Sequence, residues 1–360
     1  MKRILVVELW NIGDVVLTVS FLAQLRAIVS DAEITLLARP YAAEILAGTS
    51  LVDDFIEADL TWKTEGRRFN PFNYDWAELL RVVQALRERK FDLAFQCRPH
   101  VREYALLALS GARRRVGYAR PGWDRALTDA IAFADSNLQK KDAWLRLLEP
   151  LGGPREIETP SLQVSRDEQL WATEFLRTNG ADPSNLLVAI HPGASIPEKR
   201  WPIERFETVA HDLRGRANVD VLAFIEPGGY GSSLARVDGV IPVKVELRQM
   251  MALLARCDLL VCNDSGPMHI AGALGVPTVA IFGSGINRHF APLGDQHEPV
   301  IAGLGMEPAA QSASAPGPYD DVSEVPTSKV LEAAERGLLK AATNGTREQQ
   351  ARILLSHGRR

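Results

Sequence analysis

Three polar clusters in this chain each directly follow an apolar run, and their residue types could carry chemistry. The first lies in the stretch ELWNIGDVVLT, where Asp14 stands just past the first apolar run, at the start of an expected helix. Gly13 before it lets the backbone turn tightly. A carboxylate at this place can cap the helix, or it can act as a general base and take a proton from a substrate hydroxyl. This stretch alone leaves both roles open.

The second cluster, HPGASIPEKRWP, contains Ser195 and Lys199. The small residues at 193–195 allow a ligand to approach the backbone closely, Ser195 offers a hydroxyl and Lys199 supplies a positive charge. Together they suit a phosphate group, although the spacing is not that of a Walker A loop. The alternative is a plain exposed loop with a solvated lysine.

The third cluster, NDSGPMH, lies between the apolar runs LLVC and TVAIF. Asp264 or Ser265 can cap a helix there, Gly266 removes steric bulk, and Pro267 suits the first helical turn, where a missing N–H group costs nothing. The free N–H groups of that turn favour an anion. His269 either contacts the ligand or packs in the core, as a lone histidine more often does. This cluster also predicts a phosphate site.

A fourth and weaker signal is FIEPGGYG, which places Glu226 at the end of an apolar run before a glycine-rich loop. A carboxylate there could accept hydrogen bonds from ribose hydroxyls, and an exposed loop glutamate is the alternative. No GxGxxG pattern follows the first apolar run, so the dinucleotide-binding fingerprint is absent.

The elements that must position these clusters alternate along the chain. The predicted strands cover residues 3–9, 33–39, 54–57, 91–97, 115–118, 186–193, 219–226, 259–262 and 278–282, and the predicted helices residues 15–30, 41–46, 76–90, 103–110, 167–179, 203–214, 248–256 and 329–342, with one more helix between the last two strands. Residues 61–73 and 308–318 are predicted loops. This alternation predicts an α/β protein with two doubly wound domains, residues 1–160 and 161–342, and a polar tail at 343–360. Ligands bind beyond the carboxyl ends of such strands, so the expected site is the cleft between the domains.

The charge of the chain is unevenly distributed. Residues 63–125 hold 14 Lys and Arg against 7 Asp and Glu, whereas the whole chain has 41 against 45. The basic region predicts an anionic partner, and solvated helix faces are the alternative. The overall charge of −4 does not favour nucleic acid as a partner.

The three cysteines lack the spacing of a metal site or a disulfide framework. The first residues do not read as a signal peptide, and no apolar run is long enough to span a membrane. We therefore expect a cytoplasmic protein.

The motifs IGDVVLT, HPGASIPEKRWP and NDSGPMHIAGALGVPTVAIFG, in that order, resemble the ADP-heptose:lipopolysaccharide heptosyltransferases, glycosyltransferase family 9. The stretches GARRRVGY and APLG also fit, and the resemblance runs from about residue 3 to residue 294. It implies the GT-B fold, in which two Rossmann-like domains face a central cleft. The second domain would bind a nucleotide-sugar donor, and the first would bind an anionic glycan or glycolipid acceptor.

The resemblance also implies roles for particular residues. Asp14 would be the general base of an inverting, metal-independent transfer that needs no cofactor. The donor-binding residues would be Ser195, Lys199, Glu226, Asp264, Ser265, Gly266, Pro267, Met268 and His269. The acceptor-binding residues would be Asn11, Gly13, Arg98 and Arg120. A lipopolysaccharide-type acceptor would bring the enzyme into peripheral contact with the inner face of the inner membrane.

Two alternatives stay open on the same fold. One is a glycosyltransferase with a different donor sugar, since FGSGINRHFAPLG departs from the family's usual turn at that place. The other is a non-catalytic protein that binds a nucleotide-sugar. An epimerase would need a different acid and base pair, and no clear pair of carboxylates stands out in the sequence.

Overall fold

The computed structural model describes residues 2–60, 75–132, 139–155, 157–283, 290–294, 296–302 and 321–343, with side chains up to residue 340 in the last range. The chain divides into two compact units, Met1–Pro160 and Ser161–Arg360. Within the described ranges, each unit contains one six-stranded sheet, and every strand pair in both sheets is parallel. The predicted fold class, two doubly wound α/β domains, is confirmed.

The first unit alternates strands and helices from its start. Its elements are β1 (Arg3–Glu8), α1 (Ile12–Ile28), β2 (Glu33–Ala38), α2 (Tyr41–Leu46), β3 (Asp54–Glu57), α3 (Trp76–Arg89), β4 (Leu93–Gln96), α4 (Val101–Leu109), β5 (Arg114–Tyr118), β6 (Asp129–Ile131) and α5 (Lys140–Leu145). The strand order in the sheet is β3-β2-β1-β4-β5-β6.

The second unit repeats this pattern. Its elements are α6 (Arg166–Thr178), β7 (Leu186–His191), α7 (Ile203–Arg214), β8 (Val219–Phe224), β9 (Val240–Val243), α8 (Leu247–Leu254), β10 (Leu259–Asn263), α9 (Gly266–Ala273), β11 (Thr278–Phe282), β12 (His297–Ile301) and α10 (Thr327–Thr343). The order β12-β11-β10-β7-β8-β9 is the same topology as in the first sheet, read from the opposite edge.

The strand order reverses between β1 and β4 in the first sheet and between β7 and β10 in the second. Helices that follow two such neighbouring strands cover opposite faces of the sheet, so a crevice opens at the carboxyl ends of the pair. Each unit therefore has one place where its topology favours a ligand.

Several elements differ from the sequence predictions. Helix α1 begins at Ile12 rather than at residue 15, and β6, β9, β12 and α5 were not predicted. The three missed strands all lie at or next to a sheet edge, where polar residues and proline are tolerated because less of the strand is buried. The predicted loops at 61–73 and 308–318 and the tail from residue 344 onward lie outside the described residues.

Helix α1 is buried from Gly13 through Leu25, which is unusual because most helices expose one face. Its apolar residues surround the helix, and Phe21 contacts Phe95 of β4 edge to face, with ring centroids 5.3 Å apart. The start of α1, which carries Asp14, is therefore held by packing on all sides of the helix.

Close packing also explains a glycine in α9. A Cβ atom added at Gly272 would lie 2.7 Å from the carbonyl oxygen of Leu293 and 2.8 Å from Cβ of Pro292. The segment APLG, residues 291–294, therefore packs directly on the α9 backbone, and a side chain at position 272 would separate the two.

We expect Gly272→Ala to lower the thermal unfolding midpoint. Alanine is favoured over glycine inside a helix by about 1 kcal/mol, but overpacking against backbone costs about 1–3 kcal/mol. Gly337→Ala in α10 is the matched control, because its Cβ would meet only the movable end of the Leu259 side chain. Calorimetry on both variants tests this, and a rise in the midpoint for Gly272→Ala would contradict the packing.

His191, the last residue of β7, is 5% exposed, and its burial lowers its pKa from 6.5 to about 4. The folded state thus binds fewer protons than the unfolded state between these two values. The free energy of unfolding must then fall as the pH drops from 6.5 towards 4.

We expect His191→Gln to remove part of this acid sensitivity. Urea unfolding at pH 7 and pH 5 gives the free energy of unfolding at each pH. Between pH 7 and pH 5 this free energy should fall by about 2 kcal/mol more for the parent chain than for the variant. His211→Gln on α7, where the side chain is exposed, serves as the control and should behave like the parent. Equal pH dependence in all three proteins would refute the burial effect.

Candidate functional site

The predicted catalytic residue lies at the switch point of the first sheet. Asn11 precedes α1 in extended conformation as its N-cap, and Asp14 is the third residue of the helix. Oδ2 of Asp14 accepts a hydrogen bond from the backbone N–H of Asn11 at 3.1 Å. Asp14 therefore stabilises the helix start from inside the first turn, which satisfies one of the amides that has no partner in the helix.

The other oxygen of Asp14 contacts two cations. Arg98, just after β4, donates from Nη2 to Oδ1 at 2.8 Å, and Nζ of Lys140, the first residue of α5, donates to the same oxygen. Asp14 and Lys140 are only 6% and 5% exposed. Arg98 was predicted to bind the acceptor, whereas Lys140 was missed. No local pattern marks Lys140, because its partner lies 126 residues earlier in the chain.

Trp10 holds Arg98 in this position. The guanidinium carbon lies 4.2 Å from the centre of the Trp10 ring, and the ring nitrogen donates to Oε1 of Glu103 at 2.6 Å. The backbone N–H of Trp10 donates to Oε1 of Glu8 at 3.0 Å, and its carbonyl accepts from the hydroxyl of Tyr41. Two contacts of the ring and two of the backbone thus fix Trp10 beside Arg98.

Glu8 and Glu103 behave differently from Asp14, although all three are buried. Burial raises the pKa of Glu8, against the opposing effect of Arg98 and Lys140. Burial, reinforced by the neighbouring Glu8, holds the pKa of Glu103 well above its usual range. These shifts favour the neutral acid forms of both groups, whereas Asp14 directly contacts two cations.

The remaining predicted acceptor residues are less central. Gly13 is buried in the first turn of α1. Arg120 is exposed, and its Nη1 donates to the carbonyl oxygen of Pro99 at 2.6 Å. Because Pro99 follows Arg98, Arg120 lies beside the segment that carries Arg98, one of the two cations that contact Asp14.

In the second unit, the loops after β7 and β8 interlock. A Cβ atom at Gly193 would lie 2.0 Å from Oε1 of Glu226, so only glycine lets this carboxylate approach the loop backbone. Arg200, which was not predicted as a site residue, joins the two loops. Its Nη2 donates to the carbonyl oxygen of Ala194 at 3.0 Å and lies 3.7 Å from Oε2 of Glu226, and its Cζ lies 4.5 Å from the ring centre of Tyr230. The sequence signal that could have identified Arg200 is its position next to Lys199 in the motif HPGASIPEKRWP.

Lys199 and Asp264 meet at the switch point of the second sheet. Nζ of Lys199 donates to Oδ2 of Asp264 at 2.5 Å, although 65 residues separate them in the chain. Both line a small depression together with Phe282 and Gly283 at the end of β11. Ser195, in the same loop as Lys199, is exposed.

The first turn of α9 adjoins this ion pair. Ser265 is the N-cap residue, with extended backbone, and its Oγ is buried without a hydrogen-bond partner in the described part of the chain. Pro267 is in the first turn as predicted, and Met268 and His269 are buried. The Met268 side chain is fully enclosed in the core, so this residue could offer a ligand only its backbone groups.

The core just behind this turn fixes its direction. The side chain of Asn263, at the end of β10, accepts from the backbone N–H of Trp201 at 3.2 Å and donates to the carbonyl oxygen of Pro192 at 2.7 Å. The buried ring of Trp201 in turn donates to the carbonyl oxygen of Val325 at 3.0 Å. Asn263 thus ties the Lys199 loop to the strand that leads into α9.

Among the described residues, no group of three or more His, Cys, Asp or Glu side chains is arranged to hold a metal ion. In the same part of the chain, no helix combines the length and apolar character that a membrane span requires.

The comparisons with known proteins agree with this geometry. The family model described as Glycosyltransferase family 9 (heptosyltransferase) matches residues 79–319. The chain is 24% identical to lipopolysaccharide heptosyltransferase 2 of Salmonella typhimurium over 92% of this chain and 97% of that protein.

Solved structures show the same fold. A family 9 glycosyltransferase from Veillonella parvula superposes with a TM-score of 0.78 and 25% identity, covering 94% of this chain and 97% of that one. The Escherichia coli ADP-heptose lipopolysaccharide heptosyltransferase II superposes with a TM-score of 0.73 and 20% identity, covering 94% and 99%. The resemblance read from the sequence motifs is confirmed: the chain belongs to glycosyltransferase family 9 and is a transferase enzyme.

Proposed function

We propose that this enzyme transfers heptose from ADP-heptose to a lipopolysaccharide inner-core acceptor, with inversion at the anomeric carbon and without a metal ion. The observation that carries the proposal is the complementary chemistry at the two switch points. A carboxylate, Asp14, occupies the first, and a lysine beside a helix N-terminus, Lys199, occupies the second. The names of the relatives support the choice of donor and acceptor.

The donor diphosphate would bind at the second switch point. The leaving diphosphate gains negative charge in the transition state, and a positive group already in place stabilises that charge without reorganisation. Asp264 holds Lys199 in position, and because an ammonium group has three N–H donors, a lysine bound to one carboxylate can also donate to a phosphate. The N-terminus of α9 and the Ser265 hydroxyl would add further donors.

The nucleoside would lie against the interlocked loops of the second unit. Glu226 is held beside Gly193, at the start of the loop that carries Lys199. A carboxylate there can accept hydrogen bonds from two ribose hydroxyls. Arg200 balances its charge and fixes its direction. We infer that Arg200 positions Glu226 and does not contact the phosphates.

The acceptor would bind at the first switch point, where Asp14 takes the proton of the attacking hydroxyl. The new bond joins the acceptor oxygen to the anomeric carbon. As it forms, the bond to the diphosphate oxygen breaks and its electron pair leaves with the diphosphate. Attack from the side opposite the leaving group inverts the anomeric centre. Asn11 and Gly13 form the turn that aims Asp14.

The acceptor is part of a glycolipid, so we expect the enzyme to work at the inner, cytoplasmic face of the membrane. The excess of Lys and Arg at residues 63–125 suits an anionic acceptor or lipid surface. Part of this region, residues 61–74, lies outside the described residues.

Titration calorimetry with ADP, UDP, GDP and CMP, each with and without magnesium, separates the proposal from its alternatives. Selective binding of ADP that does not depend on magnesium supports an ADP-sugar donor. Preference for another nucleotide would indicate a glycosyltransferase with a different donor sugar. Nucleotide binding without any transfer would favour a non-catalytic nucleotide-sugar-binding protein.

We expect Asp14→Ala to lower kcat for heptose transfer by about 10²- to 10⁴-fold, the usual contribution of a general base. The dissociation constant for ADP should stay unchanged, because the predicted donor-binding residues all lie in the second unit. Radiometric transfer assays and calorimetry measure the two quantities. Transfer at the parental rate would remove Asp14 as the base.

We expect Lys199→Ala to weaken ADP binding by about tenfold, the loss of one charge-assisted hydrogen bond, and to lower kcat by about 10²-fold, as for removal of a transition-state donor. Lys340→Ala is the matched control, because Lys340 pairs with Glu298 on the exposed side of α10. If both variants bind ADP like the parent, the phosphate site is elsewhere.

A further inference from the structure

We propose that Arg98 and Lys140 are an anion receptor that exchanges partners: they neutralise Asp14 in the free enzyme and bind a carboxylate of the acceptor in the complex, which releases Asp14 to act as the base. This inference rests on the proposed function and adds a residue, Lys140, and a coupling between acceptor binding and catalysis.

The hydrogen bonds of Asp14 show why such an exchange is needed. Oδ1 accepts from Arg98 and Lys140, and Oδ2 accepts from the N–H of Asn11. The carboxylate is 6% exposed. A general base must come within hydrogen-bond reach of the proton that it takes, and two cations on one carboxylate strongly favour its ionised form over the protonated one. In this arrangement two cations engage Oδ1, so this oxygen is not available to a substrate proton.

The charges around the two cations favour an incoming anion. Arg98 and Lys140 carry two positive charges, and Asp14 carries one negative charge. The other titratable groups beside the two cations are Glu8 at the end of β1, Glu103 on α4 and Cys97 after β4, and burial raises the pKa of each. Tyr41 on α2 donates to the carbonyl oxygen of Trp10. At the contact itself, two cations meet the single carboxylate of Asp14, so one further anionic group would balance the charge.

Both cations also have a second support that does not depend on Asp14. The guanidinium of Arg98 lies over the Trp10 ring at 4.2 Å, and Nζ of Lys140 lies 5.1 Å from the ring centre of Trp144. An aromatic face stabilises a cation without neutralising it. Each cation can thus turn towards an acceptor anion without losing all of its contacts, and remains charged when it does.

The exchange has a direct consequence for the base. When an acceptor anion takes up Arg98 and Lys140, the positive charge on Oδ1 falls and the affinity of Asp14 for a proton rises. This change occurs only when the acceptor is bound, next to the hydroxyl that must lose its proton. An acceptor without the anionic group would bind weakly and would leave Asp14 neutralised by the two cations.

The decisive experiment measures acceptor binding to Asp14→Asn. Because this variant no longer competes for the two cations, it should bind the anionic acceptor about tenfold more tightly than the parent while losing transfer, since opposite charges at this range shift equilibria by one to three powers of ten. If Asp14 only contacts the acceptor hydroxyl, Asp14→Asn should bind the acceptor as tightly as the parent or more weakly. That result would overturn the proposed exchange. The probe is a deacylated lipopolysaccharide inner-core oligosaccharide, measured by calorimetry beside the same oligosaccharide with its carboxyl groups reduced.

Lys140→Met tests the proposed receptor by removing one of its two cations. It should weaken binding of the anionic oligosaccharide about tenfold, leave binding of its reduced form unchanged, and shift the acid limb of the kcat/KM profile to higher pH, because Asp14 has lost one cation. The double variant Asp14→Asn, Lys140→Met should lose the tighter binding of the single Asp14 variant. Lys141→Met, the next residue of α5, is the control and should match the parent.

The same experiment separates this inference from the proposed function. If the parent binds neither ADP nor the oligosaccharide, the proposed function fails. If the parent binds both and transfers heptose, but Lys140→Met keeps parental acceptor affinity and pH profile, the exchange alone fails. Should Asp14→Asn not fold, as judged by circular dichroism, the Lys140→Met and Lys141→Met pair still decides the question.

Discussion

The reversal of strand order at the middle of each parallel sheet is the constraint on which the rest of this structure depends. Helices that follow β1 and β4 lie on opposite faces, and so do those that follow β7 and β10, so the loops between strand and helix diverge there. Polar side chains can occupy that space without displacing the apolar core. Asp14 and Arg98 meet at one reversal, and Lys199 and Asp264 meet at the other.

The two units use one topology for opposite chemistry. In the first, the carboxylate of Asp14 contacts two cations, next to two carboxyl groups whose pKa is raised by burial. In the second, a lysine is held by a carboxylate next to a helix N-terminus. Both arrangements keep a buried charge paired, because an unpaired ion inside a protein is strongly unfavourable. The pairing is also what makes each charge available at a defined place for a substrate that offers a better partner.

In the second unit, two glycines and one proline allow specific close contacts near the candidate site. Gly193 admits the Glu226 carboxylate to the loop backbone, and Gly272 admits the APLG segment to the backbone of α9. Pro267 occupies a helical position where no hydrogen bond is lost. These residues shape the second unit through close approach: a larger side chain at Gly193 would displace the Glu226 carboxylate, and one at Gly272 would displace the APLG segment.

The fold class, most of the central strands and the loops that carry Asp14, Lys199 and the α9 turn could be predicted from the amino-acid sequence. Buried parallel strands are continuous apolar runs, and glycine, proline and capping residues mark the turns after them, so all of this information is local. The edge strands β6, β9 and β12 were not predicted because they are short or interrupted: β6 has three residues, β9 and β12 each contain a proline, and β6 and β12 also contain charged residues.

Which charged side chains meet depends on how distant elements pack together. Lys140 reaches Asp14 across 126 residues, and Lys199 reaches Asp264 across 65. No local pattern marks such a partner, since a lysine that begins a helix looks like any solvated lysine. It becomes a buried ion-pair partner because packing of α5 on α1 brings it to the carboxylate. The state of Asp14 is therefore a property of the fold, whereas its presence after β1 is a property of the sequence.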